Sequence, residues 1–562
     1  MEAAPVKLSR NEELKTSTPT LAGTIAATLA NSAEDHFSQD DYEFLKFHGV
    51  YQQDDRDLRK TGKKYIMMVR TSIPGGVLTA PQWVAFDNLS AQYGNNTLRV
   101  TTRQCIQFHG IVKSNLRALI KGLNDCLIST IAACGDVKRN VMAPPTPAYS
   151  LTYVDVLADC RQVNEALKPR TKAYHAIWID GVQLNLEDPQ NKGYVDPLYG
   201  KTYLPRKFKV AFAIPPVNDM DVLTNCLGFI AVIENEKLIG YNLAVGGGMG
   251  RSHGNLQTYP RLADVIGFFP REKLVDVAKA VLTIHRDFGD RTDRKHARLK
   301  YVIAERGVDW ARAEVNQRAG ITLEPVKPYK FTSSTDMYGW HQAVDGKWFL
   351  GLFVETGRVK DVEGHKMKTA LRQVAEKFTG IEFRLSANQN VILANVDEEE
   401  KDAITEILTE HGIKTGHKQA GALHAAALAC PSLPTCGLGL AESERMLPGM
   451  IDRIEKMCEA VGLGGEEIII RSTGCPNGCA RPYAAEIGFV GKAPGRYQVW
   501  LGGDIAGTRL ARMWKEVIKE ADLENELRPV LARYANERFN RESFGDWCDR
   551  VLLNEGTNGF SI

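Results

Sequence analysis

Four cysteines in two short clusters constrain this chain more than any other feature of its sequence. Cys430 and Cys436 form the first cluster, and Cys475 and Cys479 form the second, which begins 39 positions after Cys436. Prolines and glycines interrupt both clusters, so we expect them to lie in loops rather than inside helices. Two loops that carry four thiols predict a metal centre.

The spacing of these cysteines favours an iron–sulfur cluster over a single ion. Structural zinc sites usually separate the two ligands of a pair by two to four residues, and five residues separate Cys430 from Cys436. Glycines and prolines within the clusters also predict backbone packed closely against a bulky group. A four-thiolate iron–sulfur cluster is therefore the preferred interpretation, a zinc ion is the alternative, and a disulfide pair is the least favoured.

Composition sets broader limits. A chain of 562 residues predicts two to four domains, and a net charge of +2 gives no general attraction to nucleic acid or membranes. No apolar run approaches the ~18 residues of a membrane span, and the first residues lack the apolar stretch of a secretory signal. Eleven cysteines, an odd number, suit a reducing cytosol. Those outside the two clusters are interpreted as buried small hydrophobic residues: Cys105, Cys126, Cys134, Cys160, Cys226, Cys458 and Cys548.

A repeat organises the rest of the chain. Residues 98–106 align with residues 383–391, which sets Arg99 against Arg384 and Gln104 against Gln389 at a period near 285. Each copy combines strands with one helix, and a larger α/β segment follows each copy. The predicted fold class is a duplicated α+β and α/β unit with pseudo-twofold symmetry, and its cofactor site is expected where the two halves meet.

Five segments follow from this repeat. We expect a polar and largely mobile N-terminal arm with a wrapping segment over 1–60, small half-domains over 61–145 and 340–410, and larger α/β domains over 150–325 and 420–562. Strands are predicted over 65–70, 97–107, 348–354, 383–393 and 468–470, and helices over 82–93, 368–378 and 447–461. The last α/β domain carries the four clustered cysteines.

Two pairs of basic residues differ from ordinary surface charges. Arg99 and Arg103 lie four apart in a predicted strand, so their side chains should point the same way. Lys207 and Lys209 lie two apart among apolar residues, so they should share a face. Fixed cations of this kind suit a ligand with several negative charges.

The cysteine clusters resemble a known signature. Cys430-x5-Cys436, together with the segment from Thr473 to Pro482, is similar to the [4Fe-4S]–sirohaem motif of the sulfite and nitrite reductase family. The similarity extends over stretches from residue 47 to residue 500 and is greatest to the NADPH-linked branch of that family. It implies small ferredoxin-like half-domains, a sirohaem, and a [4Fe-4S] cluster held by Cys430, Cys436, Cys475 and Cys479. In the family, the last of these cysteines also joins the cluster to the sirohaem iron.

The resemblance further implies a function and a set of site residues. The expected reaction is the six-electron reduction of sulfite to sulfide in assimilatory sulfur metabolism and cysteine biosynthesis, in the cytoplasm, with a flavoprotein (FAD/FMN) subunit as electron donor. The positions expected to bind the substrate anion are Arg70, Arg139, Lys207 and Lys209. Those expected to hold the cofactor are Arg99, Arg103, Arg291, Arg294, Lys300 and Cys479.

Three alternatives stay open. A sirohaem nitrite reductase shares the fold and cofactors, but an Asn commonly stands there at the position of Lys209, so this sequence favours sulfite. A ferredoxin-dependent sulfite reductase differs in its electron donor, and Arg481 with the residues after it resembles that form. A zinc-stabilised interaction protein without enzymatic activity would keep the cysteines and be colourless.

Overall fold

The computed structural model describes residues 7–18, 21–148, 151–170, 178–179, 182–183 and 195–554. The predicted segments 1–60, 150–325 and 420–562 therefore extend in part beyond the described residues. The described helices are α1 (Arg10–Ser17), α2 (Ile25–Ala30), α3 (Gln39–Leu45), α4 (Ala80–Tyr93), α5 (Leu116–Asp125), α6 (Thr152–Ala166), α7 (Leu274–Phe288), α8 (Leu299–Arg306), α9 (Val308–Ala319), α10 (Met367–Lys377), α11 (Lys401–Glu410), α12 (Ala422–Ala425), α13 (Leu447–Ala460), α14 (Leu523–Glu537) and α15 (Phe544–Trp547). Among these described helices, none is long and apolar enough to cross a membrane.

Two five-stranded sheets form the small units. The strands of the first are β1 (Val50–Asp54), β2 (Tyr65–Arg70), β5 (Ile106–Ile111), β4 (Leu98–Val100) and β14 (Arg358–Val359), in that spatial order. Those of the second are β12 (Gly339–Gln342), β13 (Trp348–Leu352), β18 (Val391–Val396), β17 (Glu382–Leu385) and β3 (Val77–Thr79). The duplicated fold class is confirmed, since the two sheets have corresponding orders.

The two small units exchange a strand. β3 belongs to the first copy but pairs with β17 of the second, and β14 belongs to the second copy but pairs with β4 of the first. Their helices also share one hydrophobic core, in which Trp83 stacks on Phe383 at 4.7 Å between ring centroids. The exchange fixes the two copies against each other and therefore fixes the cleft between them.

The predicted continuous strands 97–107 and 383–393 are wrong, because each is a β-hairpin. β4 pairs antiparallel with β5, and β17 pairs antiparallel with β18. Gln104 and Gln389 occupy the turns with positive φ values of 51° and 71°, in the left-handed region that ends a strand. The alignment of the two glutamines thus marks equivalent turns rather than equivalent strand positions.

The large units carry the remaining main sheets. The first contains β8 (Val210–Ala213), β9 (Leu227–Glu234), β10 (Lys237–Val245) and β11 (Asp264–Pro270). The second contains β19 (Leu428–Ala429), β20 (Ile470–Thr473), β21 (Ile487–Ala493), β22 (Arg496–Leu501) and β23 (Arg512–Lys519). Short two-stranded ribbons complete the described strands: β6 (Trp178–Ile179) with β7 (Val182–Gln183), and β15 (Asp361–Val362) with β16 (His365–Lys366).

The N-terminal arm packs on the first large unit over α1, where a mobile segment was expected. Glu12 and Lys15 are buried and paired with each other, and Lys15 also donates to the Leu204 carbonyl at 2.8 Å. Arg291 binds the other oxygen of Glu12 at 2.5 Å. A polar composition suggested a solvated segment, but these charges have partners on the first large unit.

Candidate metal centre and cationic face

Strand topology brings the two cysteine clusters together. β19 and β20 are parallel neighbours, Cys430 follows directly after β19, and Cys475 comes two residues after β20. The carboxyl ends of parallel strands meet at one edge of a sheet, which is a common place for ligand sites. The backbone N–H of Cys430 donates to the Ser472 carbonyl at 3.2 Å, so the two loops leave the sheet side by side.

Gly474 allows the two cysteine loops to pack closely against each other. A Cβ on this residue would lie 1.7 Å from Ser432 Oγ and 2.3 Å from the Ala441 carbonyl, so no larger residue fits. Its N–H points at Cys430 Sγ at 3.3 Å, and its carbonyl accepts from the Ala441 N–H at 3.0 Å. The close backbone approach predicted for this region is thus an approach of one cysteine loop to the other.

Each of the four thiols lies within electrostatic reach of the other three. Burial, followed by the Cys479 and Cys475 thiols, raises the pKa of Cys430, and burial raises the pKa of Cys475 to about 12. Thiolates form in such a place when a strong positive charge compensates them, as a metal centre does. The donor set therefore fits a metal–thiolate site.

The sulfur atoms of the four cysteines lie further apart than a single bound ion would place them. A tetrahedral zinc site with Zn–S bonds of about 2.3 Å places its sulfur atoms ~3.8 Å apart. Within the described residues, just one set of three or more possible ligand atoms lies within 4.8 Å of one another, and it consists of His424, Asp452 and Glu455. The four cysteines do not form such a set, so no three of their sulfur atoms lie as close together as one zinc ion would hold them.

Cys479 is the exposed member of the set, and it faces the other half of the molecule. The Thr102 hydroxyl, at the tip of the β4–β5 hairpin, donates to the Cys479 carbonyl at 2.9 Å. Arg103 lies next to it and donates to Asn225 Oδ1 at 2.8 Å and to the Val210 carbonyl at 3.1 Å. The hairpin of the first small unit thus reaches both large units at this point.

Three of the predicted anion-binding residues share one face beside this point. Residues 138 and 208 form a parallel bridge, with the Arg139 N–H donating to the Phe208 carbonyl at 2.7 Å. Phe208 is fully buried, so alternation turns the side chains of Lys207 and Lys209 to the opposite side. Arg139 also alternates to that side and lies within electrostatic reach of Lys207. Lys207 and Lys209 also lie within electrostatic reach of each other.

Arg70 completes the predicted set from the end of β2. Its Nη1 donates to Cys134 Sγ at 3.2 Å, and its guanidinium lies 5.9 Å from the centre of the Tyr51 ring. Tyr51 in turn lies within electrostatic reach of both Arg70 and Arg139. Electrostatic proximity thus links the four predicted substrate-binding cations, which we call the cationic face (Arg70, Arg139, Lys207 and Lys209).

Charge density on the cationic face changes the ionisation of its lysines. Burial, followed by Arg103 and Arg298, lowers the pKa of Lys209 to about 7, and Cys479 acts in the opposite direction. Burial, followed by Arg206 and Arg298, lowers the pKa of Lys207 well below its usual range. Cations crowded in this way are stabilised by a bound anion, and an ammonium with a pKa near 7 can donate a proton at neutral pH.

The predicted cofactor-binding residues do not form one group. Arg99 lies on β4, whereas Arg103 lies in the β4–β5 turn and its guanidinium has different partners, so the expectation that the two side chains point the same way is wrong. Arg99 is buried, binds Glu444 at 2.8 Å and donates to the Ala429 carbonyl at 2.9 Å. Arg291 binds Glu12, and Arg294 binds Asp136. These three guanidinium groups have protein carboxylates as partners and act within the fold.

Lys300 occupies a different position. Its ammonium donates to the carbonyls of Gly248 and Gly250 at 3.1 and 2.8 Å, and burial, followed by Arg298, lowers its pKa to about 6. A Cβ on Gly250 would lie 3.2 Å from the Asn477 carbonyl, so this glycine-rich segment packs on the second cysteine loop. Lys300 therefore supports that segment and stays near the site.

Sequence reasoning missed several residues that the structure places here. Arg298 lies between two predicted positions, places Nη2 3.5 Å from Cys226 Sγ, and keeps a buried Nε without a partner. Tyr51, Cys134 and Arg206 also adjoin the cationic face. Cys134 and Cys226 contact arginines, so they are more than the buried hydrophobic residues that were expected. The density of basic residues over 291–300 was the one signal that could have suggested Arg298.

Protein-family models match the first large unit and both small units. The family model described as "Nitrite and sulphite reductase 4Fe-4S domain" matches residues 159–323. The model described as "Nitrite/Sulfite reductase ferredoxin-like half domain" matches residues 59–126 and 341–411.

Relatives match almost the whole chain. A Staphylococcus saprophyticus protein named "Sulfite reductase [NADPH] hemoprotein beta-component" is 47% identical over 98% of this chain and 96% of its own. A Myxococcus xanthus protein of the same name is 46% identical over 98% of both chains. The solved structure of the Mycobacterium tuberculosis NirA protein has a TM-score of 0.78 at 23% identity, covering 97% of this chain and 96% of that one, and so shares the fold.

Proposed function

The chain belongs to the nitrite and sulfite reductase family, and from that premise we propose that it is the sirohaem-bearing component of an NADPH-dependent assimilatory sulfite reductase. The reaction takes sulfite, six electrons and six protons to sulfide and three waters. The observation that carries this proposal is the proximity of the cysteine site to the cationic face, where Lys209 lies within electrostatic reach of Cys479.

The cysteine site suits the expected cofactors. Cys430, Cys436, Cys475 and Cys479 are proposed to hold the [4Fe-4S] cluster, and Cys479, the exposed member, is proposed to ligate the sirohaem iron as well. When bound, the two cofactors supply single electrons to the sulfur atom of sulfite. Arg103 and Lys300 are proposed to line the sirohaem, whereas the protein partners of Arg99, Arg291 and Arg294 give those residues a supporting role.

The cationic face is proposed to bind and protonate the substrate. Arg70 and Arg139 stay charged and hold sulfite oxygens in place, because a guanidinium does not give up its proton in proteins. Lys207 and Lys209 have lowered pKa values, so they can pass protons to oxygens that leave as water. Fixed positive charge around the oxygens stabilises the negative charge that builds up as each S–O bond breaks.

Two features extend beyond the catalytic step. A flavoprotein subunit is proposed as the electron donor, since the relatives at 46–47% identity are named as beta-components of NADPH-dependent enzymes. The expected cytoplasmic location and the five predicted segments stand as proposals of the same kind. In the family pattern, Lys209 favours sulfite over nitrite as the substrate.

Turnover of the purified chain tests this function. Reduced methyl viologen should drive it to convert sulfite to sulfide, and Cys479→Ser should reduce sulfide formation to background even where cluster iron remains bound. Near-normal turnover by Cys479→Ser would exclude the bridging role. A wild-type chain that carries iron and sulfide but leaves sulfite unreduced would refute the proposed function.

A further inference from the structure

A second repeat joins the two large units. The segment 216–229 aligns with the segment 476–489 at an offset of 260 residues, with Pro, Gly and Phe shared at equivalent positions. In this alignment Asp219 stands at the position of Cys479, and Asp221 stands at the position of Arg481. Asp221 and Arg481 have matching left-handed backbone conformations, with φ values of 43° and 56°, and each begins a short 3-10 turn.

The two equivalent residues bind each other across the pseudo-twofold arrangement. Asp221 is 0% exposed, and its Oδ2 accepts hydrogen bonds from Arg481 Nε and from Arg471 Nη1, the latter at 2.6 Å. Arg471 lies on β20, and Arg481 follows the second cysteine cluster. The first large unit thus supplies one buried carboxylate to two buried arginines of the second.

Both arginines belong to the segments that carry the proposed cluster ligands. Arg481 lies two residues after Cys479, and its Nη1 donates to the Thr102 carbonyl at 3.2 Å. The Thr102 hydroxyl donates to the Cys479 carbonyl at 2.9 Å, which closes a short chain of contacts from Asp221 to Cys479. Arg471 lies four residues before Cys475 on the strand that leads to it.

Asp221 is therefore placed to balance charge close to the cluster. Two guanidinium groups and one carboxylate leave one net positive charge at a buried position, where charges act over longer distances than at the surface. Burial raises the pKa of Asp219 and of Asp336, the neighbouring buried carboxyls. Asp221 is the carboxylate that faces both guanidinium groups.

We propose that Asp221 is a positioning residue that fixes Arg471 and Arg481 and thereby sets the reduction potential of the adjoining cluster. The first large unit lacks the clustered cysteines. Its segment equivalent to the second cysteine loop instead supplies the carboxylate that pairs with two arginines of the second large unit. This inference rests on the proposed function, because it requires the cluster to be bound at the four cysteines.

Paired charge variants of the cofactor-loaded enzyme test the inference. Asp221→Asn removes a negative charge, and Asn tolerates the left-handed backbone at this position. We expect the cluster potential to rise, because extra positive charge stabilises the reduced form. Arg471→Gln removes a positive charge and should lower the potential. Each change should alter the ratio of oxidised to reduced cluster at least tenfold at a fixed potential, which is about 59 mV for one electron.

Redox titration followed by electron paramagnetic resonance gives the readout, with thermal unfolding measured alongside. Opposite shifts support the inference, because a purely structural role would move both variants in the same direction or in neither. If Asp221→Asn does not fold, the shift in Arg471→Gln still decides, and an unchanged or raised potential overturns the inference. A wild-type protein without a cluster signal would instead refute the proposed function.

Discussion

At the scale of single residues, Lys209 should set the balance between sulfite and nitrite. Sulfite is a dianion that presents three oxygens once its sulfur is bound, whereas nitrite is a monoanion that presents two. Losing one charge-assisted hydrogen bond costs about 1.5–3 kcal/mol, or roughly 10- to 150-fold in kcat/KM. Lys209→Asn should lower kcat/KM for sulfite at least about tenfold relative to nitrite. Kinetics with both substrates and a viologen donor measure this ratio, and an unchanged ratio removes Lys209 from the site.

The lowered pKa of Lys209 also predicts a pH dependence. The ammonium is charged below its pKa of about 7 and loses its charge above it, so an anion bound beside it should be held more weakly as pH rises through 7. Sulfate suits the measurement because it remains a dianion throughout this range. Its stabilisation of the protein against thermal unfolding should decline between pH 6 and pH 8, roughly one unit either side of that pKa. The same decline in Lys209→Asn would contradict the assignment.

Which residues could be foreseen depended on how local their signal was. The four cysteines and the pair Lys207 and Lys209 could be proposed from the sequence because their signal is a short spacing along the chain. Tyr51 and Asp221 were missed because their roles come from groups that lie far away in sequence, such as Arg139 and Arg481. Arg99 was expected to hold the cofactor because its ion-pair partner, Glu444, follows 345 positions later and could not be recognised from the sequence.

At the scale of elements, the contact between the cysteine loops should depend on Gly474. A Cβ there would lie 1.7 Å from Ser432 Oγ, so Gly474→Ala must displace the first cysteine loop. Overpacking of this kind costs about 1–3 kcal/mol, and here it separates the cluster ligands. We expect a marked loss of bound iron. Gly437→Ala is the matched control, because a Cβ at Gly437 has no neighbour within 4 Å. Normal iron content in Gly474→Ala would show that the loops do not need this contact.

Docking of α1 gives a second test at this scale. Glu12 is buried between Lys15 and Arg291, so Glu12→Gln leaves buried cations with less compensation. Removing one partner of a buried pair costs about 3–5 kcal/mol. The variant should unfold at a lower denaturant concentration, whereas Glu13→Gln, at an exposed position of the same helix, should behave as wild type. Equal stability of the two variants would mean that the ion pairs of Glu12 do not stabilise the fold.

Helices and strands were predicted well where the apolar periodicity was clear, and poorly where the backbone turned without a glycine or a proline. The helix expected over 447–461 is α13, which ends one residue earlier, and the strand expected over 65–70 is β2. The two hairpins were read as single strands because their turns contain glutamine at positive φ, not glycine or proline. The strand exchange of β3 and β14 could not be foreseen, since pairing between distant strands leaves no local pattern.

At the scale of the whole molecule, the chain is expected to depend on a partner for electrons from NADPH. Its main described sheets are accounted for by the duplicated units, which leaves none of them for a dinucleotide-binding domain. The isolated chain should therefore not oxidise NADPH, yet it should reduce sulfite with methyl viologen. Adding a flavoprotein reductase should restore NADPH-driven turnover. Tightly bound flavin, or NADPH oxidation by the chain alone, would contradict this division of labour.

The central claim is that the four cysteines hold an iron–sulfur cluster coupled to a sirohaem, and an absorption spectrum with metal analysis tests it most directly. Protein from iron-replete cells that make sirohaem should be coloured, with haem Soret and visible bands. It should contain about five iron atoms and about four acid-labile sulfides per chain, from one cluster and one haem iron. A colourless protein with one zinc ion per chain would contradict the claim.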